Sequence, residues 1–352
     1  MNYKRFIFAI IILMIILLGI YFINGDQLFN DKDKEAQKAE GTEFIMNTFV
    51  RISIYDKDSE VVLSNTFRKL RYLENIFSKT IEESDINKLN NNAGIAAVEV
   101  NKNTYDILKE SHKFAEITEG SFDPTIGPLI SLWGIGTDDQ KVPTENEIRQ
   151  AVGKVNYKDI EFLDSNRVYL KKSGMSLDLG AIAKGYAADN IIEYYEQRDI
   201  ESAYINMGGN IYVYKRKADN SLWKIGIRDP DQSRGDIIAI LNLENTSVVT
   251  SGNYERYFLK DGVRYHHIIN PETGYPAKNG IISSTVISHN SSYADALSTS
   301  FYILGVEKSF DLVEKLKDIK IILLTEDNKA YVSEKLKAKV EFTVNELEII
   351  YR

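Results

Sequence analysis

The chain has 352 residues and no cysteine. That absence excludes disulfides, a thiolate metal centre and a lipid-bearing N-terminal cysteine. Stability must come from core packing, which a chain of this length can supply. A basic surplus is missing as well. The formal net charge is -8 and the pI about 5.3, whereas nucleic-acid binding needs a basic face. There is no internal repeat, no low-complexity tract beyond one polar linker, no phosphate-binding Gly-x-x-x-x-Gly-Lys-Ser/Thr loop and no dinucleotide fingerprint. Histidine is scarce, with four in the chain, and two of them are adjacent at 266 and 267.

What is present begins with a long apolar run. Lys4 and Arg5 precede an uncharged stretch from Phe6 to Ile23. About 18 apolar residues can span a bilayer, whereas the core of a signal peptide is shorter and ends in small residues. The run ends Tyr21-Phe22-Ile23-Asn24 without an Ala-x-Ala pattern. A single-pass anchor follows, with residues 1–5 cytoplasmic, 6–23 in the membrane and the remainder extracytoplasmic by the positive-inside rule. A cleaved signal peptide is the competing reading. Residues 24–42, mostly polar, read as a solvated linker, which leaves 43–352 as the folded domain.

Within that domain, Thr48 to Tyr55 alternates as a strand does, and Val61 to Ile76 has helical spacing. Short helices are expected from Ser84 and from Thr144, where Thr144 and Glu147 form a capping box. Longer helices are expected over Thr104 to Ile117 and Ala181 to Arg198, with others beginning near Ser292 and Val306. Strands dominate the second half without steady βαβ alternation. The fold class is therefore α+β.

Four polar clusters carry the chemistry. In Gly120-Ser-Phe-Asp-Pro-Thr125, Asp123 before Pro124 reads either as a helix N-cap or, with Ser121, as ligand-facing. Asp178-Leu-Gly-Ala-Ile-Ala-Lys-Gly185 reads as a strand end entering a helix, where unpaired N–H groups favour phosphate. Lys184 in the first turn opposes the helix dipole, which suggests a cation facing a ligand; Asp178 as a cap is the structural alternative. In His267-Ile-Ile-Asn-Pro-Glu-Thr-Gly274 a tight turn explains Pro271 and Gly274 but leaves the histidine unexplained. Asp295 and Thr299, spaced i, i+4, share a helix face and can bring two oxygens to one cation, although Ser292 to Asp295 also fits a capping box. Oxygen ligands without cysteine favour Mg²⁺ or Ca²⁺ over zinc.

Taken in order, Met46-Asn-Thr48, Phe77-Ser78, Ser84 to Asn90, Gly120 to Trp133, Asp178 to Asp189, Met207 to Asn210, Thr250 to Gly252, His267 to Pro276 and Ala294 to Thr299 resemble the FAD:protein FMN transferases of the ApbE family, over about residues 43 to 332. The resemblance implies a single catalytic domain with a T-fold-like core. It implies Mg²⁺-dependent transfer of the FMN half of FAD to a threonine hydroxyl of an exported or membrane partner protein, with release of AMP. Met46, Ser121, Phe122, Asp123, Asp178, Lys184 and Ile269 would line the FAD site. Asp295, Thr299 and the Ala181 carbonyl would hold Mg²⁺, and His267 would be the catalytic base. Asn270 and Ser298 depart from the family pattern, where acids often stand. An FAD pyrophosphatase giving AMP and FMN, and a non-catalytic flavin-binding surface protein, are the alternatives.

Overall fold

The computed structural model describes residues 37–230 and 237–352. The chain opens with β1 (Lys38–Ile45) and β2 (Thr48–Tyr55), an antiparallel hairpin paired along its whole length from Lys38↔Tyr55 to Ile45↔Thr48. The turn residues Met46 and Asn47 both have positive φ, at 52° and 57°, the backbone that lets a two-residue turn follow strand twist. The linker boundary expected from composition is therefore corrected. Residues 38–42 belong to β1, a polar strand that a propensity argument misses because its order comes from β2.

Next come α1 (Ser59–Phe77), α2 (Asp85–Asn91), β3 (Val98–Glu99), α3 (Lys102–Ile117), α4 (Gly127–Trp133) and α5 (Glu145–Val152). After β4 (Ile160–Leu163) and β5 (Arg167–Leu170) the chain enters α6 (Ala183–Glu196). The strands β6 (Ser202–Met207), β7 (Asn210–Tyr214), β8 (Trp223–Arg228), β9 (Ile237–Leu243), β10 (Thr246–Gly252), β11 (Tyr257–Lys260), β12 (Val263–His266) and β13 (Ile281–Ser288) follow. The chain closes with α7 (Ser291–Leu304), α8 (Val306–Lys315), β14 (Lys320–Thr325), β15 (Lys329–Val332), β16 (Val340–Phe342) and β17 (Glu348–Tyr351).

A nine-stranded sheet, ordered β1-β2-β6-β7-β10-β13-β14-β15-β17, forms the middle layer. Its neighbours are antiparallel except β15 and β17. Strand side chains alternate between faces, and here both faces are covered. Val286 and Leu323 pack with α7 and α8, whereas Ile287 and Leu324 pack beneath the small sheet β16-β9-β8. On the helical side, Val50, Ile52 and Ile54 of β2 join α1, α3 and α6 in the largest core. The outcome is a mixed α/β single domain, consistent with the α+β class read from the sequence. Among the described residues no helix is long and apolar enough to cross a membrane. The run from Phe6 to Ile23 lies outside the described residues.

Two helix starts differ from expectation. Asp123 and Pro124 begin no helix; α4 starts four residues later at Gly127, with Pro128 in its first turn. Ser292 to Asp295 is not a capping box, because Asn290 is the N-cap of α7 and accepts from Tyr293 N–H. The two long helices α6 and α7 meet closely at Gly185, where an added Cβ would collide with the Ser291 carbonyl and crowd Asp295. Overpacking against backbone of this kind costs about 1–3 kcal/mol. Gly185→Ala is expected to lower unfolding free energy by that amount in urea titration, while the exposed Gly262, which has no atom near its added Cβ, loses only what its positive φ imposes.

Candidate active site

The α6 N-terminus is built from two directions. Gly185 is the third residue of α6, and its N–H is one that a helix start leaves without an intrahelical partner; it donates to Asp295 Oδ2 from α7 at 2.9 Å. This bond satisfies that N–H. It also fixes the buried Asp295 carboxylate against the positive end of the α6 dipole. Lys184 Nζ lies 3.7 Å from Asp295 Oδ1 and donates to the Gly180 carbonyl at 3.3 Å. The lysine that seemed misplaced in a first turn is thus offset by a carboxylate from the neighbouring helix.

One turn along α7, the half-buried Thr299 presents its hydroxyl to the same side. Ser251 of β10 lies 2.8 Å from Ser298 Oγ and 3.3 Å from Thr299 Oγ1. Asp295 and Thr299 thus lie one turn apart on α7, with Asp295 against the start of α6 and Ala181 just ahead of that start, a set with a single carboxylate. Such a set suits a hard cation that keeps other ligands, as Mg²⁺ does. Among the described residues there is no cluster of three or more His, Asp or Glu that would make a different metal centre.

His267 stands just past the end of β12. Its backbone N–H donates to the Arg256 carbonyl at 3.1 Å, and its Nδ1 lies 3.2 Å from the same oxygen. A carbonyl can only accept, so Nδ1 carries the proton and Nε2 keeps its lone pair. The imidazole is half-buried, and desolvation by the protein around it pulls its pKa down to about 4. The Arg256 hydrogen bond opposes this, while the charges of Arg256 and Lys184 add to it. His266 points to the other face, its Nε2 3.0 Å from the Ala277 carbonyl, so only one of the adjacent pair serves the cleft.

The other expected residues divide. Asp178 is held by Lys79 Nζ at 2.7 Å and accepts from Gly180 N–H at 2.8 Å, while its own N–H donates to the Pro124 carbonyl. This brings the first two clusters together. Ser121 Oγ is buried without a hydrogen-bond partner, an acceptor and donor open to a ligand. Met46 occupies the β1–β2 turn, its N–H bonded to Glu74 at 2.7 Å. Asp123 is a buried structural hub: it accepts from Thr125 N–H at 2.8 Å, Thr125 Oγ1 at 2.6 Å and Tyr157 N–H at 3.0 Å. Burial raises its pKa and those bonds oppose the rise. Phe122 packs edge-on against Phe114 in the core, and the Ile269 side chain packs with Leu129 and Trp133. For Asp123, Phe122 and Ile269 the side chains thus shape the site from behind.

Sequence reasoning missed several groups. Lys79, Ser251 and Arg256 reach the site through pairings that no local pattern announces. Asp189 of α6 has a partial signal, lying i+4 from the buried Gly185. Its carboxylate accepts from Ser291 N–H, Ser292 N–H and Ser292 Oγ at 2.7–2.8 Å, and so satisfies the start of α7. Burial pushes Asp189 up to about 6 and the neighbouring Glu110 of α3 up to about 7, the Asp189 charge adding to the latter.

The sequence pattern of the ApbE family matches residues 46–323, and the chain belongs to that family. It is similar to the FAD:protein FMN transferase of Treponema pallidum, at 34% identity over 309 residues, covering 83% of this chain and 85% of that protein. The FAD:protein FMN transferase of Klebsiella pneumoniae is also 34% identical, covering 82% and 90%. Among solved structures it resembles the ApbE protein of Thermotoga maritima, with TM-score 0.79 and 36% identity over 86% of this chain and 99% of that one. The flavin transferase ApbE from Vibrio cholerae follows at TM-score 0.78 and 26% identity, with the same coverage.

The raised carboxyl pair gives a pH signature. Both groups hold protons more tightly folded than unfolded, so their contribution is fully present below their unfolded pKa values and is lost as pH rises through about 6 and about 7. Glu110→Gln removes one such group. It is expected to shrink the fall in Tm between about pH 5 and about pH 8, read by differential scanning fluorimetry.

Proposed function

We propose that this chain transfers the FMN moiety of FAD to a threonine hydroxyl of a partner protein and releases AMP. The observation that carries the reading is the meeting, at the start of α6, of Lys184 with Asp295, which stands one turn from Thr299 on α7, in a chain whose His267 imidazole keeps Nε2 open. Phosphoryl transfer of this type needs charge neutralised on the pyrophosphate, an aligned acceptor and a place for its proton.

The residues divide that work. Lys184 and the α6 N-terminus supply fixed positive potential for the pyrophosphate. Asp295, Thr299 and the Ala181 carbonyl would hold Mg²⁺, which when bound neutralises charge on the phosphate oxygens. Ser121, Asp178 and the Met46 turn border the space for the rest of FAD. The acceptor hydroxyl oxygen forms a bond to the FMN phosphorus, the bond from that phosphorus to the bridging oxygen breaks, and AMP leaves with that oxygen. The hydroxyl proton passes to His267 Nε2: the Nδ1–H bond to the Arg256 carbonyl fixes that tautomer, and desolvation keeps the ring neutral at neutral pH.

The run from Phe6 to Ile23 completes the proposal as a single-pass anchor that holds the domain outside the cytoplasm, near exported or membrane acceptors. Lys4 and Arg5 set that orientation.

Incubation with FAD, Mg²⁺ and a small exported FMN-binding domain carrying an acceptor threonine is expected to add one FMN to the acceptor by intact mass. His267→Ala should reduce that rate by about 10²–10⁴-fold, and Asp295→Ala should abolish turnover. AMP formed steadily without an acceptor product would make the protein an FAD pyrophosphatase; neither product would leave a flavin-binding protein. Because a base must be unprotonated, kcat/KM for transfer should hold down to about pH 5 and fall on an acid limb near the His267 value of about 4, well below an unperturbed histidine.

A further inference from the structure

The strands β11 and β12 form a two-stranded sheet that joins no other strand among the described residues. Its inner face is fixed: Phe258 and Tyr265 stack at 5.3 Å, and Tyr265 lies 5.6 Å from Trp133. The opposite face is covered at its His267 end, where His266 is buried against Tyr302, and is open toward the turn. Tyr257 is 42% and Leu259 64% exposed, and the Arg264 guanidinium lies 4.5 Å from the Tyr257 ring centroid. Exposed apolar strands with open edges are surfaces that other chains pair with or pack on.

Charge narrows the partner. Residues 256 to 266 carry Arg256, Lys260 and Arg264 against the single carboxylate Asp261, in a chain of net charge -8. None of the three cations forms an ion pair among the described residues; Arg256 reaches only the Asn47 carbonyl, at 3.5 Å. Position then ties this ridge to the chemistry. The ladder runs Lys260↔Val263, Leu259↔Arg264, Phe258↔Tyr265 and Tyr257↔His266, and its next rung is the Arg256 carbonyl with His267.

We infer that the open tip of this hairpin, with Leu259, Lys260 and Arg264, docks the acceptor protein through an acidic surface of that partner. The inference rests on the transfer reaction proposed above. A partner seated on this tip lies within one short ladder of the rung that carries His267. The Leu259–Arg264 rung lies about 10 Å from the His267 rung, three strand residues away, so changes there leave the reacting groups in place.

The test compares the unaltered full chain with Leu259→Ser, Lys260→Glu and Arg264→Glu, using FAD, Mg²⁺ and the small FMN-binding domain as acceptor. FAD affinity, read by flavin fluorescence, serves as the check that each variant is folded. The charge reversals are expected to raise the acceptor KM by about tenfold or more with kcat and FAD affinity little changed. Arg264→Lys should stay near the unaltered value, and added salt should raise the KM of the unaltered chain toward that of the variants. Lys260 forms no ion pair or side-chain hydrogen bond among the described residues, so Lys260→Glu keeps the test open if Leu259→Ser unfolds. Transfer with an unchanged acceptor KM in the folded charge-reversal variants overturns the docking surface alone, whatever happens to oligomeric state. Absence of transfer by the unaltered chain overturns the transfer reading and the docking surface with it.

Discussion

Two carboxylates exchanged between α6 and α7 hold the centre of this molecule. Asp295 of α7 receives the Gly185 N–H at the start of α6, and Asp189 of α6 receives the Ser291 and Ser292 N–H groups at the start of α7. Helix starts leave N–H groups without partners, and a buried start without them is costly. Each helix here meets that need for the other. The exchange works only at close range, which is why position 185 has no side chain to separate the helices. Once the two helices are locked, Thr299 and Ser298 follow by helical register and meet Ser251 across the sheet.

The same lock sets the electrostatics. A lysine in the first turn of a helix opposes the dipole by a few tenths to about 1 kcal/mol, and Lys184 would be unfavourable in isolation. Asp295 reverses that balance, its one oxygen on the Gly185 N–H and the other 3.7 Å from the ammonium. One carboxylate thus satisfies a helix start and restrains a lysine at once. The site is therefore a consequence of how two helices pack, and its polar groups are not an addition to an independent scaffold.

Legibility from the sequence followed the range of the interactions. The Thr144 capping box, the Ser84 helix start and the alternation of Thr48 to Tyr55 were readable because their partners lie within a few residues. The clusters at 178, 267 and 295 stood out because glycine, proline and polar groups recur there at short spacing. What could not be read was whatever depends on distant strands or helices. β1 is ordered by β2, Asp123 turns inward to Tyr157, and Ile269 enters a core formed by α4 and α5. Asp295 looked like a cap for its own helix and proved to be the cap for another.

The placement of His267 adds a last constraint. Its tautomer is set by the Arg256 carbonyl, and that carbonyl belongs to the rung that continues the β11–β12 ladder. Any force on the hairpin therefore acts on the base through one residue of backbone. Packing of Tyr265 on Trp133 and the Trp133 Nε1–H bond to the Gly274 carbonyl at 2.8 Å resist such motion from the inner side, and they anchor the turn that follows His267 as well. The imidazole is thus held between a buried aromatic support and the ladder that runs out to the exposed hairpin turn.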